Sequence, residues 1–175
     1  MRRTTSYLAA IAFGTLMLAA CGRREAPPPS PVPPAVVPGP RALPVSTEDY
    51  VKVQSSRSLL VVRAAELAAQ RSTNSKTLAV AAKLKGDHEG IAAQLSMAGR
   101  RLNLLPSPSL LAADQALLDS LASAAYFDDT FSRAMKRTVE TCSRANASYA
   151  ANGSPTLRPV ARFIASTCGA ELRSL

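Results

Sequence analysis

The 175-residue chain has no tryptophan, and its aromatic content is four phenylalanines and four tyrosines. A core built without aromatic anchors needs many small aliphatic contacts, and a chain rich in Ala and Leu makes them best between packed helices. Acidic residues are few, 12 against 21 Lys and Arg, for a net charge of +9. The basic residues are scattered and lack interleaved aromatics that could stack on bases, which argues against nucleic acid as a partner. A basic balance of this size suits an anionic membrane surface or a cell-wall polymer. No apolar run reaches the roughly 20 residues a stable membrane span needs. Histidine occurs once, as His88, and cysteine three times, as Cys21, Cys142 and Cys168.

The stretch Lys76 to Leu102 organises the rest. Ala81, Leu84, His88, Ile91, Leu95, Ala98 and Leu102 recur at alternating spacings of four and three, so they form one stripe of an amphipathic helix and place His88 in a core. On the opposite side Ala79, Ala82, Gly86, Gly90, Ala93 and Met97 form a stripe of mostly small residues. Glycine inside a helix costs about 1 kcal/mol against alanine. Gly86 and Gly90 are therefore read as a close-packing face, expected to receive either the segment Ser109–Ala122 or a second copy of the chain, the alternative being two glycines tolerated on a solvated face.

Residues 1–20 read as an export signal: Arg2 and Arg3, then an apolar run from Tyr7 to Ala20, then Leu18-Ala19-Ala20-Cys21. This stretch resembles the bacterial lipoprotein signal with its lipobox, and the resemblance implies that Cys21 carries an N-terminal lipid. By the same resemblance, Gly22 after the cysteine implies outer-membrane sorting. Cleavage after Ala20 removes Arg2 and Arg3 and leaves 19 basic against 12 acidic residues, +7. Residues 21–45 hold nine of the thirteen prolines, too many for a helix or a sheet, and read as a Pro-rich tether in extended conformation.

Residues 46–175 read as one helical domain. Ser46 caps helix 1, which runs to about Arg71 with Val53, Leu60, Ala64 and Leu67 inward. Ser72 to Ser75 break it and supply the next cap, so helices 1 and 2 form a tight antiparallel hairpin. A short helix is expected over Ser109–Leu121. Helix 3 spans about Ala125 to Ala151, with Phe127, Phe131, Met135, Thr138, Cys142, Ala145 and Tyr149 along one face, and Asn152-Gly153 stops it. Helix 4 starts between Ser154 and Pro159 and turns Leu157, Ala161, Ile164, Cys168, Leu172 and Leu175 inward.

Cys142 and Cys168 lie about equally far from the turn between helices 3 and 4, which sets them level in antiparallel helices. In an oxidising compartment, with Cys21 acylated, they are expected to pair as a disulfide; two buried free cysteines are the alternative.

Leu67 to His88, the following LSMAGRRLNLLP, and Tyr126-Phe127-Asp128 resemble a family of bacterial exported proteins of unknown function, often labelled putative outer-membrane or periplasmic protein. The resemblance implies an all-α fold: a ferritin-like antiparallel four-helix bundle with a short extra helix between the two hairpins. Family members commonly carry a glutamate in helix 1 and histidines in helices 3 and 4, whereas this chain has Val61 at the glutamate and no histidine beyond His88.

The polar residues of helix 2 do not assemble known chemistry. A di-iron site needs Glu-x-x-His motifs and glutamates pointing inward, but the residue three before His88 is Lys85. Glu66 falls about 10 Å along the axis from His88 at about 1.5 Å per residue. Asp87 diverges from His88 by about 100 degrees. His88 is expected as a satisfied core histidine, with Asp87 and His88 as the residues to watch. No metal ligand, no catalytic residue and no cofactor beyond the Cys21 lipid are assigned. Asn146-Ala147-Ser148 matches a glycosylation sequon of little meaning in a bacterial lipoprotein. The expected function is a non-enzymatic, lipid-anchored module facing the periplasm, held to the outer membrane, with a protein or envelope-polymer partner or a homo-oligomer. The alternative is a ferritin-like metal-binding or redox protein with a degenerate site around His88.

Overall fold

The computed structural model describes residues 45–175. The expected signal of residues 1–20, the lipidation site Cys21 and the tether up to residue 44 lie outside the described residues. Five α-helices and no strand occur among them: α1 Thr47–Arg71, α2 Ser75–Arg100, α3 Ala112–Ala122, α4 Phe127–Asn152 and α5 Arg158–Glu171. None is long and apolar enough to cross a membrane.

Each boundary has a local cause. At α1, the Ser46 hydroxyl accepts from the Asp49 N–H at 3.0 Å, and Glu48 and Asp49 sit in the first turn, where the helix dipole favours negative charge. Asn74 caps α2 by accepting from Lys76 N–H at 2.9 Å. That helix ends where Asn103 takes a φ of 56° and the Leu104 N–H turns back to the Gly99 carbonyl at 2.9 Å, a six-residue closing loop. A Cβ on Gly99 would lie 2.2 Å from the Leu104 carbonyl oxygen, so this return path requires glycine. Pro159 at the start of α5 sits where a missing N–H costs nothing.

Helix α3 begins at Ala112, three residues later than the periodicity predicts, because the chain before it is held elsewhere. The Leu111 N–H donates to Ser56 Oγ at 2.8 Å, and the Ser56 hydroxyl, fully buried in α1, donates to the Asp114 carboxylate. The far end of α3 is held by Arg71, whose guanidinium donates to the carbonyls of Leu121, Ala122 and Ala124 at 2.7 to 3.0 Å and lies 5.0 Å from the centre of the Phe127 ring. A cation on the last carbonyls of a helix complements its dipole. These two pins fix α3 against α1 and α4, not over Gly86 and Gly90.

The four longer helices close a ring: α1 packs on α2, α2 on α5, α5 on α4 and α4 on α1. Leu60, Val61, Leu84, Ile91, Leu95, Phe131, Met135, Val139 and Ile164 fill its centre, each no more than 1 % exposed. Two stripes differ from those read in the sequence. In α1, Tyr50, Gln54 and Ser58 are buried along with Val61 and Ala65, whereas Val53 and Leu67 are only half-buried. In α4, Asn146 is buried and its neighbour Ala145 is exposed. A polar residue took the inward position in both, which a trace through apolar residues passes over.

Candidate functional site

Two clusters of buried polar side chains flank one covalent bond in this core. Cys142 of α4 and Cys168 of α5 form a disulfide with a Cα–Cα distance of 6.3 Å and a sequence separation of 26. Both cysteines are no more than 1 % exposed.

The first cluster lies on the Cys142 side and is closed. The Tyr50 hydroxyl donates to Asn146 Oδ1 at 2.6 Å. The Asn146 amide donates from Nδ2 to Gln54 Oε1 at 3.0 Å and to the Cys142 carbonyl at 2.8 Å. Tyr50 also stacks on Tyr149, with ring centres 3.6 Å apart and planes 12° from parallel. Burial, with a smaller contribution from Tyr149, pushes the Tyr50 phenol well above its ordinary range, so it stays a hydrogen-bond donor. Asn146 is thus a structural tie between α1 and α4. Its place in a sequon carries no information about that role.

The second cluster lies on the Cys168 side and is open. His88 Nε2 of α2 and Glu171 Oε2 of α5 are 3.5 Å apart, within ion-pair reach but without hydrogen-bond geometry. Both ring nitrogens of His88 and both carboxylate oxygens of Glu171 are buried without a hydrogen-bond partner, at 1 % and 0 % exposure. Leaving such a group unsatisfied costs about 1–3 kcal/mol, more when charged. Closing the gap between Nε2 and Oε2 would satisfy one nitrogen and one oxygen only. One ligand atom each from His88, Cys168 and Glu171 lie within 4.8 Å of one another.

His88 is therefore in the core as expected, but it is not the satisfied histidine that the sequence suggested. Its partner, Glu171, was missed. The signal was present: Leu157, Ala161, Ile164, Cys168 and Glu171 continue the alternation of four and three, but a glutamate ending an apolar stripe reads as the solvent edge of a helix.

The remaining marked residues are outside the cluster. Asp87 pairs with Lys83 on the α2 surface, so adjacent Asp87 and His88 do not cooperate. Lys85 reaches Glu89 and, at 3.6 Å, Glu66, and the Glu89 contact leads in holding the lysine above its ordinary range. Gly86 and Gly90 are exposed, and a Cβ on either would meet nothing within 4 Å; the expectation that α3 packs there is overturned by the Ser56 and Arg71 pins. The conspicuous Tyr126-Phe127-Asp128 has structural uses. Phe127 is buried and Asp128 accepts from the Ser72 hydroxyl at 2.6 Å, while Tyr126 is 81 % exposed. Two surface clefts, one beside Asn74, Asp128 and Phe131 and one beside Arg57, Asp114 and Thr138, include none of His88, Cys168 and Glu171.

A family model described as a domain of unknown function (DUF4142) matches residues 32–167. No curated protein and no solved structure matches the chain.

Proposed function

We propose that this chain, which belongs to the DUF4142 family, is a lipid-anchored envelope protein facing the periplasm from the outer membrane, and that its helices act as a non-catalytic interaction or envelope-maintenance module. The observation that carries the non-catalytic part is the burial of the core's polar groups. A general acid, base or nucleophile must come within hydrogen-bond reach of its substrate, and His88 and Glu171 are sealed by packing. The anchor rests on Leu18-Ala19-Ala20-Cys21 followed by the proline-rich stretch. The ferritin-like arrangement rests on the two hairpins, α1 with α2 and α4 with α5, linked through α3.

Contact with a partner falls most naturally on the small-residue face of α2, where Ala79, Ala82, Gly86, Gly90, Ala93 and Met97 are all exposed. The anchor is tested by Cys21→Ser. The variant should leave the membrane fraction and keep its helical circular dichroism; retention in membranes after a high-salt wash would contradict it. The module is tested by capture from detergent-solubilised envelope on the full-length chain. Gly90→Leu should abolish the capture without unfolding, since Gly90 is exposed and a Cβ there has no neighbour within 4 Å. A second reading, a metal-binding protein, is favoured by one observation, the open cluster at His88 and Glu171.

A further inference from the structure

We propose that His88, Glu171 and Cys168 form a buried site for a thiophilic divalent cation, zinc in the first instance, and that the Cys142–Cys168 disulfide is its redox gate. The inference stands on the open cluster and does not depend on the anchored-module reading.

The donor set is the first argument. Imidazole, carboxylate and thiolate are the three side-chain ligand types of zinc, and three protein residues on a four-coordinate ion is a common zinc arrangement, the fourth position here going to the second Glu171 oxygen. Spacing is the second. Ligand bonds of roughly 2.0–2.3 Å in a tetrahedron set neighbouring donor atoms roughly 3.3–3.8 Å apart. His88 Nε2 and Glu171 Oε2 are 3.5 Å apart, long for a hydrogen bond and the right distance for two ligands of one ion. The third argument is hydrogen-bond accounting. A cation between these side chains, held by both oxygens of Glu171, would engage three of the four atoms that now lack a partner. No repacking of the apolar side chains around them does that, because none offers a donor or acceptor.

The gate follows from the sulfur. In the disulfide the Cys168 sulfur is bonded to Cys142 and is not a thiolate, the form that binds zinc. A dithiol supplies the reducing equivalents: one of its thiolates attacks the Cys142–Cys168 bond, its second thiol then closes the dithiol into its own disulfide, and both cysteines leave as thiols. Two electrons and two protons have passed to the protein. Zinc then takes the Cys168 sulfur, His88 and Glu171, and the thiol proton goes to solvent. Cys142 is not needed as a ligand, and its carbonyl keeps its bond from Asn146. Entry is at the end of α5, because Glu171 is its last residue and terminal turns fray first.

The experiment uses the full-length chain in detergent and Zn²⁺ as the probe, with affinity read by competition against a chromogenic chelator. With the disulfide intact, binding should be at least tenfold weaker than after reduction by a phosphine. Cys142→Ala should bind one Zn²⁺ per chain without reductant, because Cys168 is then always a free thiol. In the reduced state Cys168→Ser, His88→Leu and Glu171→Leu should each weaken binding about 100-fold. Substituted Co²⁺ should show a thiolate charge-transfer band that disappears in Cys168→Ser. If Cys142→Ala fails to fold, the reduced wild-type chain decides the matter through its thermal midpoint, which should rise with Zn²⁺. Equal affinity in the oxidised, reduced and Cys168→Ser forms, or no binding by the reduced chain, overturns the proposal.

Discussion

The two polar clusters on either side of the disulfide share a core and differ in one respect, which is whether their atoms are satisfied. Around Asn146, the Tyr50 hydroxyl, the Gln54 side chain and the Cys142 carbonyl each have a partner between 2.6 and 3.0 Å. Around His88 and Glu171, four buried atoms have none. Buried polar groups are satisfied in the great majority of native cores, so the first cluster is explained by the stability and register it gives. The second is explained by neither. The same bundle thus shows what a polar tie looks like when it serves the fold, and the contrast is what marks the other cluster as a site.

The largest change should come from cutting the bond between them. Replacing Cys142 and Cys168 together by Ala removes the constraint on a loop of 26 residues and should cost about 3.5 kcal/mol in the chain-entropy account, measured by urea unfolding without reductant. A cost below about 1 kcal/mol would mean that packing alone holds α4 to α5.

Next comes Asn146→Leu, which leaves the Tyr50 hydroxyl and the Gln54 side chain buried without partners. The expected loss is about 3 kcal/mol, also by urea unfolding. If the loss were small, the closed cluster would be incidental and the contrast with the open one would collapse.

How much of this was legible in the sequence follows from what each signal senses. The cap at Ser46, a second cap within Ser72–Ser75 and the level placement of Cys142 and Cys168 were readable, because caps are local and register follows from counting away from a turn. Gln54, Asn146 and Glu171 were not, because an inward stripe is found by hydrophobicity and a buried polar residue looks like a gap or an edge. The position of α3 was missed for a related reason. It is set by the Ser56 hydroxyl and the Arg71 guanidinium, ordinary surface residue types whose hydrogen-bond partners lie about 50 or more residues away in sequence.

A smaller effect sharpens the same comparison through pH. Burial raises the Tyr50 pKa above the ordinary 10.0, so the folded state favours the protonated phenol. That contribution is fully present below the unfolded pKa and is lost as pH rises above about 10 toward the folded value. Tyr50→Phe should cost about 1 kcal/mol at pH 7. It should also show a shallower fall in urea midpoint than the parent between pH 9 and 11. Parallel falls in the two proteins would show that the phenol does not carry the alkaline loss.

The smallest expected change is the most informative. If the His88 and Glu171 cluster is a site and not a tie, replacing both by leucine removes four unsatisfied buried atoms and adds apolar contacts of similar volume. Substitutions of this kind are often neutral or stabilising. The measurement is the unfolding free energy of His88→Leu/Glu171→Leu with the disulfide intact and no metal added. The account predicts a value equal to the parent's or higher, and a loss of more than about 2 kcal/mol would contradict it by showing that this pair, like Asn146, holds the fold together.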